Sequence, residues 1–233
     1  MTSVLFVVTG AQQWTMADGT EHPTGFWAEE LIAPHQVFTR AGFEVTFATP
    51  GGVAPTADRN SLTAEMNGGD EQKVTELRDY LNSIDDRLSA PKPLEEVDPD
   101  HYDVLFAPGG HGPMEDLAVS EDMRRILIRM HDTGKVISAV CHAPAALLPA
   151  RRDDGSWIFD EYRLTGFTNE EETQAGLAEQ AAWLLQDRLA ESGARFESGT
   201  AWSPYLVSDR NLHTGQNPAS SGELAEHVVS ITK

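Results

Sequence analysis

The only cysteine of the chain stands at an abrupt change in sequence character. The apolar run at 135–140 (KVISAV) ends at Cys141, and small and helix-forming residues follow at 142–148 (HAPAALL). This pattern predicts a strand, a sharp turn and a helix, with the sulfur held at the carboxyl edge of a sheet and exposed there. The N-terminal end of that helix is expected to favour the thiolate. A buried structural cysteine at an ordinary strand-to-loop junction is the alternative interpretation.

The composition limits the class of protein. A chain of 233 residues can form one large α/β domain, and no apolar run approaches ~18 residues. Residues 1–9 have the character of a first strand and not of a signal peptide. A single cysteine excludes an internal disulfide and fits a reducing cytoplasm. The formal net charge of −20 argues against nucleic acid or an anionic membrane as a partner.

Strand and helix signals alternate along the chain, which is typical of a doubly wound, mostly parallel sheet flanked by helices. The main strands are predicted at 3–9, 43–49, 102–107 and 135–140, with shorter ones at 163–166, 195–198, 205–208 and 212–214. Helices are predicted at 26–41, 71–86, 121–133, 169–192 and 221–232. The turn-rich segment 10–25 is predicted to be a loop at the carboxyl edge of the sheet, where ligands bind in such folds.

The pattern loosens between residues 53 and 100. A helical stretch there carries apolar residues at helical spacing, namely Val74, Leu77, Leu81 and Ile84. We interpret 53–100 as a lid or insertion over the sheet edge, within a single domain that spans 1–233. An ordinary surface connection explains the same pattern equally well.

A glycine-rich loop, 108–113 (PGGHGP), follows the third main strand. Such a loop exposes backbone N–H groups that can face a developing negative charge. Glycine-rich turns after strands are common, so the motif alone is weak evidence. Its position matters because this strand should neighbour the one that ends at Cys141.

Five blocks spread over nearly the whole chain carry a family resemblance. They are 25–34 (GFWAEELIAP), 107–112 (APGGHG), 139–144 (AVCHAP), 165–173 (TGFTNEEET) and 214–220 (TGQNPAS). Together, in this order and spacing, they resemble the ThiJ/PfpI superfamily, whose fold is like that of the class I glutamine amidotransferases. The most similar branch is that of the heat-shock proteins described as glyoxalase III or D-lactate dehydratase.

The resemblance implies a set of catalytic residues. Cys141 would be the nucleophile, His142 its adjacent base and Glu172 the acid that orients His142. Glu30 would be the carboxyl group beside the sulfur. The backbone N–H groups of Gly110 and His142 would form the oxyanion hole.

Neighbouring acidic residues leave alternatives open. Glu29 adjoins Glu30, but on a helix it points about 100° away, so one of the two should face solvent. Glu170 and Glu171 compete with Glu172 for the contact to the histidine. These acidic residues could also simply stabilise the N-terminus of the helix that follows.

Other residues are candidates for the substrate pocket. Gly109 and His111 adjoin the oxyanion glycine, although His111 could be a loop histidine bonded to backbone. Trp27 and Trp202 line the pocket or fill the core, and His35 packs against the site or a subunit interface. A glutamate, cysteine and histidine in one pocket could bind a soft metal, but no paired-ligand spacing supports this, so we expect no metal.

The resemblance implies a glyoxalase that needs neither cofactor nor glutathione. A thiolate would add to a 2-oxoaldehyde such as methylglyoxal, a proton would move between the two carbons, and hydrolysis would release a 2-hydroxy acid. The same family suggests a homodimer. A holding chaperone, a protein deglycase and a cysteine-oxidation sensor are the alternative functions.

Overall fold

Strands and helices alternate from the first strand to the last helix. The computed structural model describes residues 1–232. Its strands are β1 (Ser3–Val7), β2 (Gln13–Thr15), β3 (Glu21–Pro23), β4 (Glu44–Thr49), β5 (Lys92–Pro93), β6 (Val104–Ala107), β7 (Val136–Val140), β8 (Arg163–Leu164), β9 (Arg195–Phe196), β10 (Leu206–Asp209) and β11 (Leu212–Gly215). Its α-helices are α1 (Ala28–Arg40), α2 (Glu71–Ser83), α3 (Asp85–Leu88), α4 (Gly112–Glu115), α5 (Glu121–Asp132), α6 (Asn169–Gln174), α7 (Leu185–Glu191) and α8 (Ser221–Thr232).

Seven strands form the central sheet, in the order β10-β11-β7-β6-β1-β4-β5. All neighbouring pairs are parallel except β10 and β11, which form an antiparallel hairpin at one edge. Helices α1, α5 and α8 pack on this sheet. The structure therefore confirms the prediction of a mostly parallel sheet flanked by helices.

The core is built from the apolar residues of the central strands and the helices that cover them. Phe6 on β1 lies at its centre, with ring centroids 5.1–5.8 Å from those of Phe38, Phe47 and Phe106. All four side chains are buried, as expected for strands covered on both faces. Within residues 1–232, none of the helices has both the length and the apolar character needed to cross a bilayer.

The register of β6 and β7 brings two loops together at the carboxyl edge. Ala107 pairs with Ala139, so Gly109 and Cys141 follow at the same height. The contact is tight: a Cβ on Gly109 would lie 2.8 Å from the backbone N of His142. A glycine is therefore required where the glycine-rich loop passes the cysteine turn.

Three local predictions were wrong. The predicted loop 10–25 contains the β2–β3 hairpin. The helix expected after the cysteine is a five-residue 3₁₀ helix, Ala143–Leu147, whose second residue is Pro144. The strand predicted at 163–166 is reduced to β8, which pairs with β9 in a separate two-stranded sheet.

The single long helix predicted over 169–192 is also wrong. Helix α6 ends at Gln174, and α7 begins only at Leu185. Gly176 between them has a φ of +80°, which a continuous right-handed helix does not permit. The apolar spacing that suggested one helix comes from two separate segments that both face the core.

The segment 53–100 covers several parts of the fold. Helix α2 packs against α1, and β5 adds an edge strand beside β4. Val74 and Leu77 are buried, as their spacing predicts. The start of the segment borders the cavity described below. The function of 53–100 as a lid stays a prediction.

Candidate active site

Cys141 occupies a left-handed turn directly after β7. Its φ is +61°, a conformation that costs a non-glycine residue of order 1–3 kcal/mol unless its surroundings hold it. Here its N–H donates to the Gly215 carbonyl at 3.0 Å, and its own carbonyl accepts the Phe167 N–H at 2.8 Å. The thiol is almost entirely buried, with 3% of the residue exposed. The turn thus places the sulfur at the sheet edge, as predicted, but the sulfur is buried there and not exposed as we expected.

His142 lies between the cysteine and a carboxylate. Its Nδ1 is 3.2 Å from Sγ of Cys141, and its Nε2 is 2.7 Å from Oε2 of Glu172. Glu172 lies in the first turn of α6, which Thr168 caps with its side chain. The three side chains form a connected line, although Cys141 and Glu172 come from distant parts of the chain.

The hydrogen bonds of Glu172 define the tautomer of His142. Burial raises the pKa of Glu172, but His142 and His111 more than offset this, and the pKa falls well below its usual range. The ionised carboxylate only accepts hydrogen bonds, so the His142 proton is on Nε2 and the Nδ1 lone pair faces the thiol. Burial, with a further contribution from His111, lowers the pKa of His142 to about 4. The imidazole is therefore a neutral base at neutral pH.

The two neighbouring glutamates point elsewhere. Glu170 is exposed, and its carboxylate accepts from the side chain of Gln174. Glu171 is fully buried and does not hydrogen-bond His142. It bonds instead to the N-cap residue of α6 and to residues of later loops. It accepts hydrogen bonds from Thr168 N and Oγ1, Trp202 N, Gln216 Nε2 and Asn217 Nδ2.

Glu30 projects from the first turn of α1 towards the cysteine. It is completely buried, and its Oε2 accepts the Gly109 N–H at 2.7 Å. Oε1 is also buried and has no hydrogen-bond partner among the described residues. Burial raises the pKa of Glu30 to about 8, although the Cys141 thiol and the Gly109 N–H act in the opposite direction. Glu29 points away and forms an ion pair with Lys73 at 2.8 Å.

The resting cysteine differs from the thiolate that we expected. Burial, followed by the negative charge of the Glu30 carboxyl, raises the pKa of Cys141 well above its ordinary value. The Gly110 N–H opposes this rise, but the 3₁₀ helix that follows is too short to supply a strong dipole. Two negative charges in this dry site would repel each other, so at most one of Glu30 and Cys141 ionises near neutral pH.

Two backbone N–H groups at the sulfur are available to a ligand. Neither the Gly110 nor the His142 N–H donates to a backbone acceptor in the part of the chain that the structure describes. Gly110 has a φ of +87°, and a Cβ there would collide with the Gly25 carbonyl. The sharp turn therefore needs glycine, and it aims the Gly110 N–H at the cysteine.

A cavity of about 420 Å³ opens onto the sulfur. Trp27, Phe167 and Trp202 form aromatic parts of its wall, together with His111. Residues that the sequence did not indicate also line it, namely His22, Asp58, Asn60, Glu65 and Met66. They lie outside the motifs, and neither periodicity nor composition distinguishes them.

His111 and His35 have different environments. Nε2 of His111 is 2.9 Å from Oε1 of Glu172, and its ring stacks on Trp14 with 4.6 Å between centroids. It is thus bonded to the site carboxylate and not to backbone. His35 is buried away from the cysteine, and its Nδ1 lies 2.8 Å from the hydroxyl of Tyr80.

One group of side chains at the site has the donors that a metal requires. His111, His142 and Glu172 offer ligand atoms within 4.8 Å of one another. Two histidines and one carboxylate suit a transition metal. Both histidines already hydrogen-bond the carboxylate, so metal binding there would break the line that connects Glu172 to Cys141.

Comparison with known proteins identifies the family of this chain. Residues 23–231 match the model of the DJ-1/PfpI family. The chain belongs to this family. Among curated relatives, Glyoxalase 3 of Candida albicans is 30% identical over 237 residues, which cover 99% of this chain and 98% of the relative. The glutathione-independent glyoxalase HSP31 of Saccharomyces cerevisiae matches with the same identity and coverage.

Solved structures of the family share the fold. The crystal structure of glyoxalase III from Candida albicans superposes with a TM-score of 0.83 at 26% identity, covering 98% of this chain and 96% of that one. Rapid Encystment Protein 24 kDa of Francisella tularensis gives a TM-score of 0.86 at 28% identity, with full coverage of both chains.

Proposed function

We propose that this DJ-1/PfpI protein is a glutathione-independent glyoxalase that converts methylglyoxal and related 2-oxoaldehydes into 2-hydroxy acids. The observation that carries the proposal is the position of the Cys141 thiol beside two proton-transfer groups. The neutral Nδ1 of His142 is 3.2 Å from the sulfur, and the Glu30 carboxyl, with a pKa raised to about 8, adjoins the same thiol. The names of the relatives support the same activity.

The first step forms a bond between sulfur and the aldehyde carbon. The thiol proton of Cys141 moves to Nδ1 of His142, and Glu172 stabilises the resulting imidazolium. The aldehyde oxygen becomes an oxyanion, which the N–H groups of Gly110 and His142 are placed to bind. The proton of Glu30 then neutralises this oxygen, which leaves a hemithioacetal and a carboxylate.

The second step moves a proton between the two carbons. The Glu30 carboxylate removes the hydrogen of the former aldehyde carbon as a proton, while the imidazolium of His142 protonates the neighbouring oxygen. Glu30 then delivers its proton to the second carbon, and the hydroxyl on the sulfur-bearing carbon returns its proton to the Glu30 carboxylate, so that the enediol becomes a thioester. A pKa near the working pH lets one carboxyl both give and take a proton. Oε1, which has no other partner, is the available atom.

Hydrolysis completes the reaction. His142 activates a water that attacks the thioester carbon, which releases the 2-hydroxy acid and restores the thiol. Methylglyoxal and water become lactate. The aldehyde carbon is oxidised and the neighbouring ketone carbon is reduced, so both changes occur within one molecule. The strongly acidic protein, with a net charge of −20, repels the anionic product.

The cavity extends the range of substrates. Its volume of about 420 Å³ is in the range of pockets that bind ligands much larger than methylglyoxal. Apolar and aromatic side chains line it, including Trp27, Phe167 and Trp202. We therefore include 2-oxoaldehydes with an apolar or aromatic substituent, such as phenylglyoxal, in the substrate class.

A protein deglycase would use the same thiol on methylglyoxal already attached to an amine or thiol. Rates measured with free methylglyoxal, and after preincubation with N-acetyl-lysine or N-acetyl-cysteine, separate the two functions. A glyoxalase follows the concentration of free aldehyde. Consumption of the adduct faster than its spontaneous dissociation would instead assign a deglycase.

A chaperone function has less structural support. A holding chaperone needs a contiguous exposed apolar patch. Among residues 1–232, the large apolar side chains that are exposed are few, namely Met1, Val53, Met66, Val119, Trp202 and Ile231. Met66 and Trp202 belong to the cavity wall, where they have a function in substrate binding.

We also propose a cytoplasmic homodimer that binds neither nucleic acid nor membrane. The free thiol of Cys141 needs a reducing compartment, and the net charge of −20 disfavours polyanionic partners. The homodimer is proposed from the family resemblance. Light scattering of the purified protein measures the oligomeric state directly.

A further inference from the structure

Three polar atoms form a compact triangle away from the cysteine site. Nδ1 of His213 on β11 lies 3.0 Å from Oγ of Ser208 on β10. Nε2 of His227 on α8 lies 3.1 Å from the same hydroxyl and 3.2 Å from Nδ1 of His213. The cluster therefore joins the edge hairpin of the sheet to the last helix.

Two hydrogen bonds can link the three atoms, but hydrogen bonding cannot supply a separate hydrogen for each of the three contacts. The Ser208 hydroxyl has one hydrogen, and each neutral ring nitrogen either carries a hydrogen or offers a lone pair. If both nitrogens carried a hydrogen, these hydrogens would face each other across 3.2 Å. The triangle thus holds at most two usable hydrogens for three contacts, whereas a central cation accepts a lone pair from every atom.

The size of the triangle suits a tetrahedral metal ion. Ligands about 2.0–2.1 Å from a tetrahedral zinc lie roughly 3.3 Å from one another. The three distances of 3.0–3.2 Å need to widen by only a few tenths of an ångström to reach this value. Imidazole nitrogens are ligands that zinc, nickel and copper prefer.

The surroundings leave room for a fourth ligand. His213 is 6% exposed, while His227 is intermediate and Ser208 is exposed to solvent. A water molecule can therefore complete the coordination from the solvent side. The acidic protein also attracts divalent cations, since its net charge is −20.

We propose that His213 Nδ1, His227 Nε2 and Ser208 Oγ bind a divalent transition-metal ion of the zinc class. The ion fastens α8 to the β10–β11 hairpin. Since β11 also pairs with β7, which leads to Cys141, the site stabilises the side of the sheet next to the cysteine. It stabilises the native state by mass action, because the unfolded chain does not hold these ligands together.

Zinc titration with variants of the cluster tests this site. Calorimetry and thermal unfolding are measured with added ZnCl₂ on the wild type, His227→Gln and Ser208→Ala. Glutamine keeps a hydrogen-bonding side chain but is a poor zinc ligand, so it separates metal binding from hydrogen bonding. We expect zinc to raise the Tm of the wild type, and His227→Gln to lose this shift with at least a roughly ten-fold weaker affinity.

A matched control is His101→Gln. His101 lies on the surface with 74% of its side chain exposed, where it pairs with Asp98, so its replacement should leave the zinc response unchanged. Zinc at His111, His142 and Glu172 would instead inhibit turnover, equally in all these variants. Equal zinc affinities and Tm shifts in the wild type, His227→Gln and Ser208→Ala would overturn the proposal, as would a wild type that binds no zinc.

Discussion

Nδ1 of His142 lies 3.2 Å from Sγ of Cys141, although the two residues are neighbours in the chain. Side chains of adjacent residues usually diverge, whereas here the left-handed φ of +61° at Cys141 permits them to meet. In the proposed mechanism, the base is therefore positioned by the same turn that presents the nucleophile. Only the acid, Glu172, has to come from another part of the chain.

Replacement of Glu172 should damage catalysis and leave folding largely intact. In Glu172→Gln, the amide can present a donor to His142, which favours the tautomer whose proton faces the thiol. We expect kcat to fall by about 10²–10⁴-fold, as in triads whose acid is replaced by an amide. Steady-state kinetics with methylglyoxal measure this effect. Glu170→Gln is the matched control, because Glu170 is exposed, and an equal loss in both variants would argue against the orienting role.

Replacement of Glu171 should instead lower the stability of the fold. Its buried carboxylate accepts from five donors, and an amide NH₂ group in Glu171→Gln would face some of them. A buried charged hydrogen-bond network broken in this way costs about 2 kcal/mol or more. For a chain of this size we expect the Tm to fall by roughly 4–8 °C. Calorimetry of both variants side by side checks this, and an unchanged Tm for Glu171→Gln would contradict it.

The pH dependence of kcat/KM should be bell-shaped. His142, whose pKa is lowered to about 4, must be neutral to accept the thiol proton, so activity rises as the pH passes through this value. Glu30, whose pKa is raised to about 8, must be protonated, so activity falls above that pH. Initial rates over the whole range measure both limbs. Residual activity of Glu30→Gln should lack the alkaline limb, and an unaltered limb would show that another group titrates there.

The stability of the protein should also depend on Glu30. The native carboxyl keeps its proton up to about pH 8, whereas the unfolded chain loses it near the ordinary value of 4.5. The native state binds one more proton at Glu30 between these values, so the contribution of Glu30 to stability is highest below about pH 4.5 and falls by roughly 1.4 kcal/mol per pH unit up to about pH 8. Above pH 8 this dependence ends.

Urea unfolding at pH 5 and pH 8 measures that effect. Glu30→Gln cannot ionise, so its stability relative to the wild type should improve between these two pH values by on the order of 3–4 kcal/mol. Glu29→Gln is the control, because Glu29 lies on the same helix turn in a partly exposed ion pair with Lys73. The same change in both variants would place the titrating group elsewhere.

The sequence predicts much of the fold because its signals are local. Buried strands read as apolar runs, and α1 and α5 end before glycines with positive φ, Gly42 and Gly134. The residues proposed for the site also lie together, since Cys141 and Gly109 follow neighbouring parallel strands. Their order along the sheet edge follows from the topology.

Other features depend on long-range contacts that no local pattern contains. The apolar spacing over 169–192 fits one helix, although Gly176 breaks it. Three consecutive glutamates look alike in sequence, yet Glu170 is exposed while Glu171 and Glu172 are buried, and each has different hydrogen-bond partners. The raised pKa of Cys141 comes from burial and from Glu30, and these act more strongly than the short helix that we expected to favour the thiolate.

The most direct test of the proposed function is lactate production from methylglyoxal without glutathione. Both lactate enantiomers are measured enzymatically for the wild type and for Cys141→Ala. We predict that the wild type forms one enantiomer in excess, with a kcat of ~1 s⁻¹ or more, and that Cys141→Ala forms none above background. Equal rates for the two proteins would contradict the assignment of Cys141 as the nucleophile of a glyoxalase.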